Sequence, residues 1–160
     1  MVLIVMGVSG SGKTAVGRAL AEKRVCPFFD ADDDHPDSNR LKMASGVPLT
    51  DKDRGPWLNR LTGRITEWNG RYPQVVLACS ALKQSYRDHL SRGGPVRWIY
   101  LKGDRDLIQQ RLAERQGHFM NPALLDSQFS ILEEPTDAIV VDISMDVGTI
   151  VEIIQNQLGA

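Results

Sequence analysis

Val2-Leu3-Ile4-Val5-Met6 is an unbroken apolar run that stops at Gly7. A short run of this kind, rich in β-branched residues, predicts a strand buried on both faces of a parallel sheet. Similar runs recur at residues 27–30, 75–79, 96–102 and 138–142. Between them apolar residues return at helical spacing, in Val16, Ala19 and Leu20; in Trp57, Leu61, Ile65 and Trp68; in Ile108 and Leu112; and in Val147, Ile150, Val151, Ile154 and Leu158. Strand and helix alternate, which predicts an α/β fold: a three-layer α/β/α sandwich on a five-stranded parallel sheet, with the first strand central and functional sites at the carboxyl ends of the strands. The tryptophan stripe could stack on a base or sugar, but apolar residues at helical spacing are core in most proteins and are taken as core here.

A chain of 160 residues suits one domain, expected to span 1–160. With 42% hydrophobic and 24% charged residues it is neither disordered nor fibrous. Nineteen Lys and Arg against twenty Asp and Glu leave a net charge of −1, so no overall field draws in nucleic acid or an anionic membrane, and neither is expected as a partner. The first apolar run is too short to span a membrane and lacks the basic flank and cleavage site of a signal peptide. Only Cys26 and Cys79 occur. They argue against a disulfide framework or cysteine zinc site and fit a reducing cytoplasm.

The first strand runs into Gly7-Val8-Ser9-Gly10-Ser11-Gly12-Lys13-Thr14, a G-x-x-x-x-G-K-[ST] motif that leads into the first helix. Both the motif and its strand–loop–helix context are therefore present. Glycines let the backbone turn its N–H groups on phosphate oxygens, and the helix adds its positive end. Gly7, Ser9, Gly10, Ser11, Gly12, Lys13 and Thr14 are thus expected at a nucleotide, with Lys13 on the β and γ phosphates and the Thr14 hydroxyl on Mg²⁺.

The second strand enters Asp30-Ala31-Asp32-Asp33-Asp34-His35-Pro36. If the strand continues, Asp30 and Asp32 share a face, close enough to hold hydrated Mg²⁺ and an acceptor hydroxyl. Asp33 and Asp34 fit a turn closed by Pro36 equally well. The third strand ends at Ser80 without the acidic residue that usually assists magnesium there, which leaves Asp30 and Asp32 as the substitutes. Lys42 and Arg54 follow the acidic loop, and Lys83 and Arg87 follow the third strand. Each alone is more often a solvated charge; together at strand ends they suit an anionic acceptor. Arg111 and Arg115, four residues apart, share a helix face and precede Gly117-His118-Phe119-Met120, a stretch expected to act as a lid over about 112–128, excluding water and bringing cations to the developing charge.

These segments resemble the gluconokinases, P-loop small-molecule kinases related to shikimate and adenylate kinases. The resemblance runs through the phosphate loop, Asp30-Ala31-Asp32-Asp33, His35-Pro36, Lys42-Met43, Asp53-Arg54, Pro56-Trp57-Leu58, Cys79-Ser80-Ala81-Leu82-Lys83, Tyr86-Arg87-Asp88, His118-Phe119-Met120 and Ser127-Gln128. It implies ATP-dependent phosphorylation of D-gluconate at its 6-hydroxyl, with Mg²⁺, by a homodimer, and an acceptor-binding segment over about 33–70. It further implies that Asp30 holds magnesium through water, that Asp32 takes the hydroxyl proton, and that Arg54 clamps the substrate carboxylate. The further substrate contacts that it implies are His35, Lys42, Ser80, Lys83, Arg87 and His118. Asp34 departs from the family, which carries an apolar or aromatic residue there; the cost of burying a lone carboxylate predicts that it faces outward. On the residues alone, a kinase of another small acceptor, such as shikimate or a nucleoside monophosphate, and a non-catalytic nucleotide-binding regulator stay open.

Overall fold

The protein is described by a computed structural model covering residues 1–114 and 122–159. The five expected strands form: β1 (Val2–Met6), β2 (Phe28–Asp30), β3 (Val75–Ala78), β4 (Val96–Lys102) and β5 (Ile139–Asp142). Three are one residue shorter than expected. Pro27 has no N–H to give and lies outside β2, although its carbonyl still accepts from the Val76 N–H at 3.0 Å. The sheet order is β2-β3-β1-β4-β5, every pairing is parallel, and β1 is central, with Val2 opposite both Val75 and Val96.

Side chains of β1 alternate between two cores, as a period of two requires. Leu3 and Val5 join Val16, Leu20, Ile108, Ile150, Val151 and Ile154, and so meet α1 (Lys13–Arg24), α5 (Arg105–Glu114) and α7 (Val147–Leu158). Val2, Ile4 and Met6 join Trp57, Leu61, Ile65, Trp68, Tyr86 and Leu90, on α3 (Asp51–Arg71) and α4 (Gln84–Ser91). This is the expected three-layer sandwich. Each large apolar side chain so buried contributes roughly 1.5–3 kcal/mol. The tryptophan stripe is core, with Trp57 1% and Trp68 3% exposed, and Trp68 stacks on Phe29 with ring centroids 4.5 Å apart. Two further helices, α2 (Asp37–Ala44) and α6 (Pro122–Ile131), lie at the carboxyl side of the sequence segments that follow β2 and α5. Among the described residues, no helix is long and apolar enough to cross a membrane.

Candidate active site

The loop between β1 and α1 is shaped by glycine. Gly10 has φ +81°, and a Cβ there would lie 2.6 Å from the Leu112 side chain of α5, so only glycine lets α5 close against the loop. Gly12 is left-handed at φ 95° and begins α1 with no side-chain cap and no acidic residue in the first turn, which leaves the positive end of α1 uncompensated. Lys13 Nζ folds back to donate to the Val8 carbonyl at 3.0 Å. Ser11 faces inward: its N–H donates to Val8 O at 3.2 Å and its hydroxyl is buried.

The acidic turn differs from the expected continuation of a strand. Asp30 ends β2, and Ala31–Asp34 form a 3₁₀ turn. Asp30 Oδ1 caps that turn by accepting the Asp32 N–H at 3.0 Å, while Oδ2 accepts from Thr14 Oγ1 at 3.1 Å. The two aspartates are therefore neighbours through a cap rather than through strand alternation, and only Asp32 reaches the pocket. It is exposed, but it stands on a concave wall of protein. Lost hydration raises its carboxyl above the ordinary range; Lys13 opposes the shift, and Asp30 and Asp33 reinforce it.

Asp34 does not face outward. It is buried at 8% exposure and accepts from Arg64 Nε of α3 at 2.7 Å, while its carbonyl accepts from Arg60. The ion pair supplies what a lone buried carboxylate lacks, and the residue is turned to α3 instead of the pocket. His35, next in sequence, does line the pocket. Its ring stacks on Trp57 at 4.4 Å and 8°, and its Nδ1 lies 3.1 Å from Asn39 Nδ2. An amide nitrogen only donates, so Nδ1 accepts and Nε2 carries the proton. Burial first, then Arg54 and Arg40, lower the imidazole to about 4, which keeps it neutral. Trp57 Nε1 donates to the Ala31 carbonyl at 2.7 Å, fastening α3 to the turn that carries Asp32.

Arg54 is held from behind. Its Nη1 donates to Leu49 O at 2.7 Å and to Tyr86 Oη at 3.2 Å, and the guanidinium lies over the Tyr86 ring at 5.4 Å. Tyr86 in turn donates to Asp51, which also accepts from Lys83 Nζ at 3.0 Å. The Tyr86 and Lys83 hydrogen bonds hold the Asp51 carboxyl below its ordinary range.

One pocket collects Ser9 and Lys13 from the phosphate loop, Asp32, His35 and Arg54 from the acceptor side, Ser80 after β3, and Ser127 and Gln128 from α6. Met43, Pro48, Leu49, Trp57, Leu82 and Leu124 supply its apolar wall. Three expected substrate contacts are not brought to it. Lys42 pairs with Asp53 at 2.9 Å and Lys83 with Asp51, so each cation is drawn to a neighbouring carboxylate. Arg87 is 2% exposed and bonds the carbonyls of Ala81 and Glu133, both at 2.7 Å, and Gln84 Oε1, so it ties the segment after β3 to the segment after α6. Arg111 sits in the last turn of α5, where its charge lowers the Asp142 carboxyl in a lesser way than Ser144 does. Arg115, Gly117 and His118, in the middle of the expected lid, lie outside the described residues. Sequence reasoning gave no role to Asn39, Tyr86 or Gln128, and none to Trp57 beyond core; the Tyr86-Arg87-Asp88 and Ser127-Gln128 segments of the resemblance were the only signals that pointed to two of them.

The chain matches the shikimate kinase family model over residues 9–138. It is 51% identical to a Mus musculus protein named "Probable gluconokinase" over 84% of this chain and 83% of that protein. It is 46% identical to the thermoresistant gluconokinase of Escherichia coli (strain K12), over 89% of this chain and 84% of that one. Among solved structures, a gluconokinase from Sinorhizobium meliloti 1021 superposes with a TM-score of 0.89 at 40% identity, covering 98% of this chain and 90% of that one.

Proposed function

The chain belongs to the gluconokinase family, and from that premise we propose its reaction in full: transfer of the terminal phosphoryl group of ATP to the 6-hydroxyl of D-gluconate, giving 6-phospho-D-gluconate and ADP. The observation that carries this reading is that Ser9 and Lys13 meet Asp32, Arg54 and Ser80 in one pocket. Donor and acceptor machinery thus open on one space, the arrangement that in-line transfer needs.

In this reading the backbone of the phosphate loop and Lys13 hold the triphosphate and offset charge on the moving group. Asp32 accepts the proton of the 6-hydroxyl as oxygen forms its bond to phosphorus, and ADP leaves with the electron pair. Lost hydration suits Asp32 to this role, since a carboxylate with a raised pKa is the stronger base. Arg54, backed by Tyr86 and Leu49, presents its fork to the gluconate carboxylate. Neutral His35 offers Nε2–H, and Ser80 its hydroxyl, to the polyol.

Mg²⁺ belongs to the proposal. Among the described residues no cluster of three or more His, Cys, Asp or Glu side chains forms a metal cage. Thr14 Oγ1 and Asp30 Oδ2, 3.1 Å apart, are the hard oxygens that suit an ion which keeps most of its waters and takes few protein ligands. When bound, the ion neutralises phosphate charge; Thr14 and, through water, Asp30 would hold it. The homodimer and the acceptor segment 33–70 rest on the family resemblance, the cytoplasmic setting on the two cysteines, and the lid over 112–128 on the arginines and glycine of that stretch. Sedimentation of the purified protein tests the first of these.

The reaction is tested by coupling ADP release to a panel of acceptors. Turnover with gluconate and not with shikimate or nucleoside monophosphates is expected, with phosphorus NMR placing the product phosphate on C6. Turnover with shikimate alone, or tight ATP binding with no acceptor-stimulated turnover, would reject it.

A further inference from the structure

Gln128 stands on α6 and touches the phosphate loop twice, at one residue 119 positions away. Its Oε1 accepts the Ser9 N–H at 2.8 Å, and its Nε2 donates to Ser9 Oγ at 3.1 Å. Both residues are half-buried and line the pocket with Lys13 and Asp32. The two bonds use opposite ends of one amide, so its orientation is fixed by its partner. A hydroxyl oxygen that accepts from Nε2 must point its own proton elsewhere, and the pocket is the open side. We propose that Gln128 is a positioning residue that aims the Ser9 hydroxyl, as a donor, at the terminal phosphoryl group of the bound nucleoside triphosphate. The inference rests on the kinase reading for the identity of that nucleotide, and it adds a polar tie between the acceptor wall and the phosphate loop.

A donor aimed at the terminal phosphoryl group distinguishes triphosphate from diphosphate, which loss of fold or of loop shape would not do. The test is calorimetric titration of ADP and of a non-hydrolysable ATP analogue, with magnesium, into the wild type and into Ser9→Ala, Gln128→Ala, Gln128→Glu and the Ser9→Ala/Gln128→Ala pair. One lost hydrogen bond to a charged group predicts a triphosphate-to-diphosphate affinity ratio roughly tenfold lower in each single alanine variant. The pair should be no worse than Ser9→Ala, because Gln128 acts through Ser9. Gln128→Glu keeps an acceptor for the Ser9 N–H but removes the donor and captures the hydroxyl proton, so it should lose at least as much. An unchanged ratio in Gln128→Ala, a gain in triphosphate affinity, or losses that multiply in the pair would overturn the inference. A wild type that binds triphosphate with the expected preference but does not phosphorylate gluconate would instead reject the acceptor reading, and the ratio would still decide the role of Gln128.

Discussion

Acidification should destabilise this protein through His35. In the folded chain the imidazole is lowered from 6.5 to about 4, whereas in the unfolded chain it takes up a proton near 6.5. Between these values the unfolded state binds more protons, so stability rises with pH. The contribution is complete above 6.5, drains away as pH falls, and flattens below about 4. With roughly 1.4 kcal/mol per pH unit in the window, moving from about pH 7 to about pH 4.5 should cost the native state about 2 kcal/mol. The Asp53 carboxyl, lowered to about 2 by the Thr50 N–H and Lys42, loses its contribution only below the ordinary carboxylate range. Asp32, raised by lost hydration, acts with the opposite sign and offsets part of the loss. The comparison is therefore made against His35→Gln, which does not titrate. Urea unfolding of both proteins, followed by tryptophan fluorescence at the two pH values, isolates the histidine. The variant should be less stable throughout, having lost its stack on Trp57, but it should show about 2 kcal/mol less acid sensitivity. Equal acid sensitivity in the two proteins would mean that His35 is not held neutral by its burial.

Replacing Lys13 by Ala should lower gluconate turnover on the order of 10²-fold or more in a steady-state assay, because its charge is placed for the transition state. Asp32→Asn should lower kcat by about 10²–10⁴-fold with ATP binding retained, whereas Asp30→Asn should chiefly raise the magnesium concentration needed for half-maximal rate. Arg87→Ala should strip the Ala81 and Glu133 carbonyls of their partner and cost roughly 2–3 kcal/mol in urea unfolding. In the same variant the gluconate KM should hold, and a large rise in KM without loss of stability would return Arg87 to the substrate.

The sheet was legible because its strands are short apolar runs broken by turns, and a strand buried on both faces has no other composition available. The long helices were legible for a related reason: each must bury a stripe, as Trp57, Leu61, Ile65 and Trp68 do. α2 was not, because it buries little. Its one buried residue is Asn39, a polar side chain that donates to His35 and to the Asp53 carbonyl, while Leu41 is 70% exposed. Hydrophobic periodicity carries no record of a helix held by an amide.

The same limit divides the candidate site. A glycine loop declares itself because only glycine tolerates the backbone that Gly10 and Gly12 adopt. Charged residues do not declare their partners. Lys42, Lys83 and Arg87 follow the second and third strands in sequence as a substrate clamp would, yet Asp53, Asp51 and two backbone carbonyls claim them first. Arg54 differs because its neighbours spend only one of its nitrogens and otherwise brace it by the face of Tyr86. Whether a basic residue binds substrate thus depends on what its neighbours leave unspent, and such neighbours can lie tens of residues away, as Asp51 does from Lys83 and Tyr86 from Arg54. Tyr86→Phe should therefore keep the ring under Arg54 but remove one of the two bonds that hold its Nη1, raising the gluconate KM several-fold while leaving kcat and ATP binding nearly unchanged. A fall in kcat at constant KM would show instead that Arg54 acts on the moving phosphoryl group.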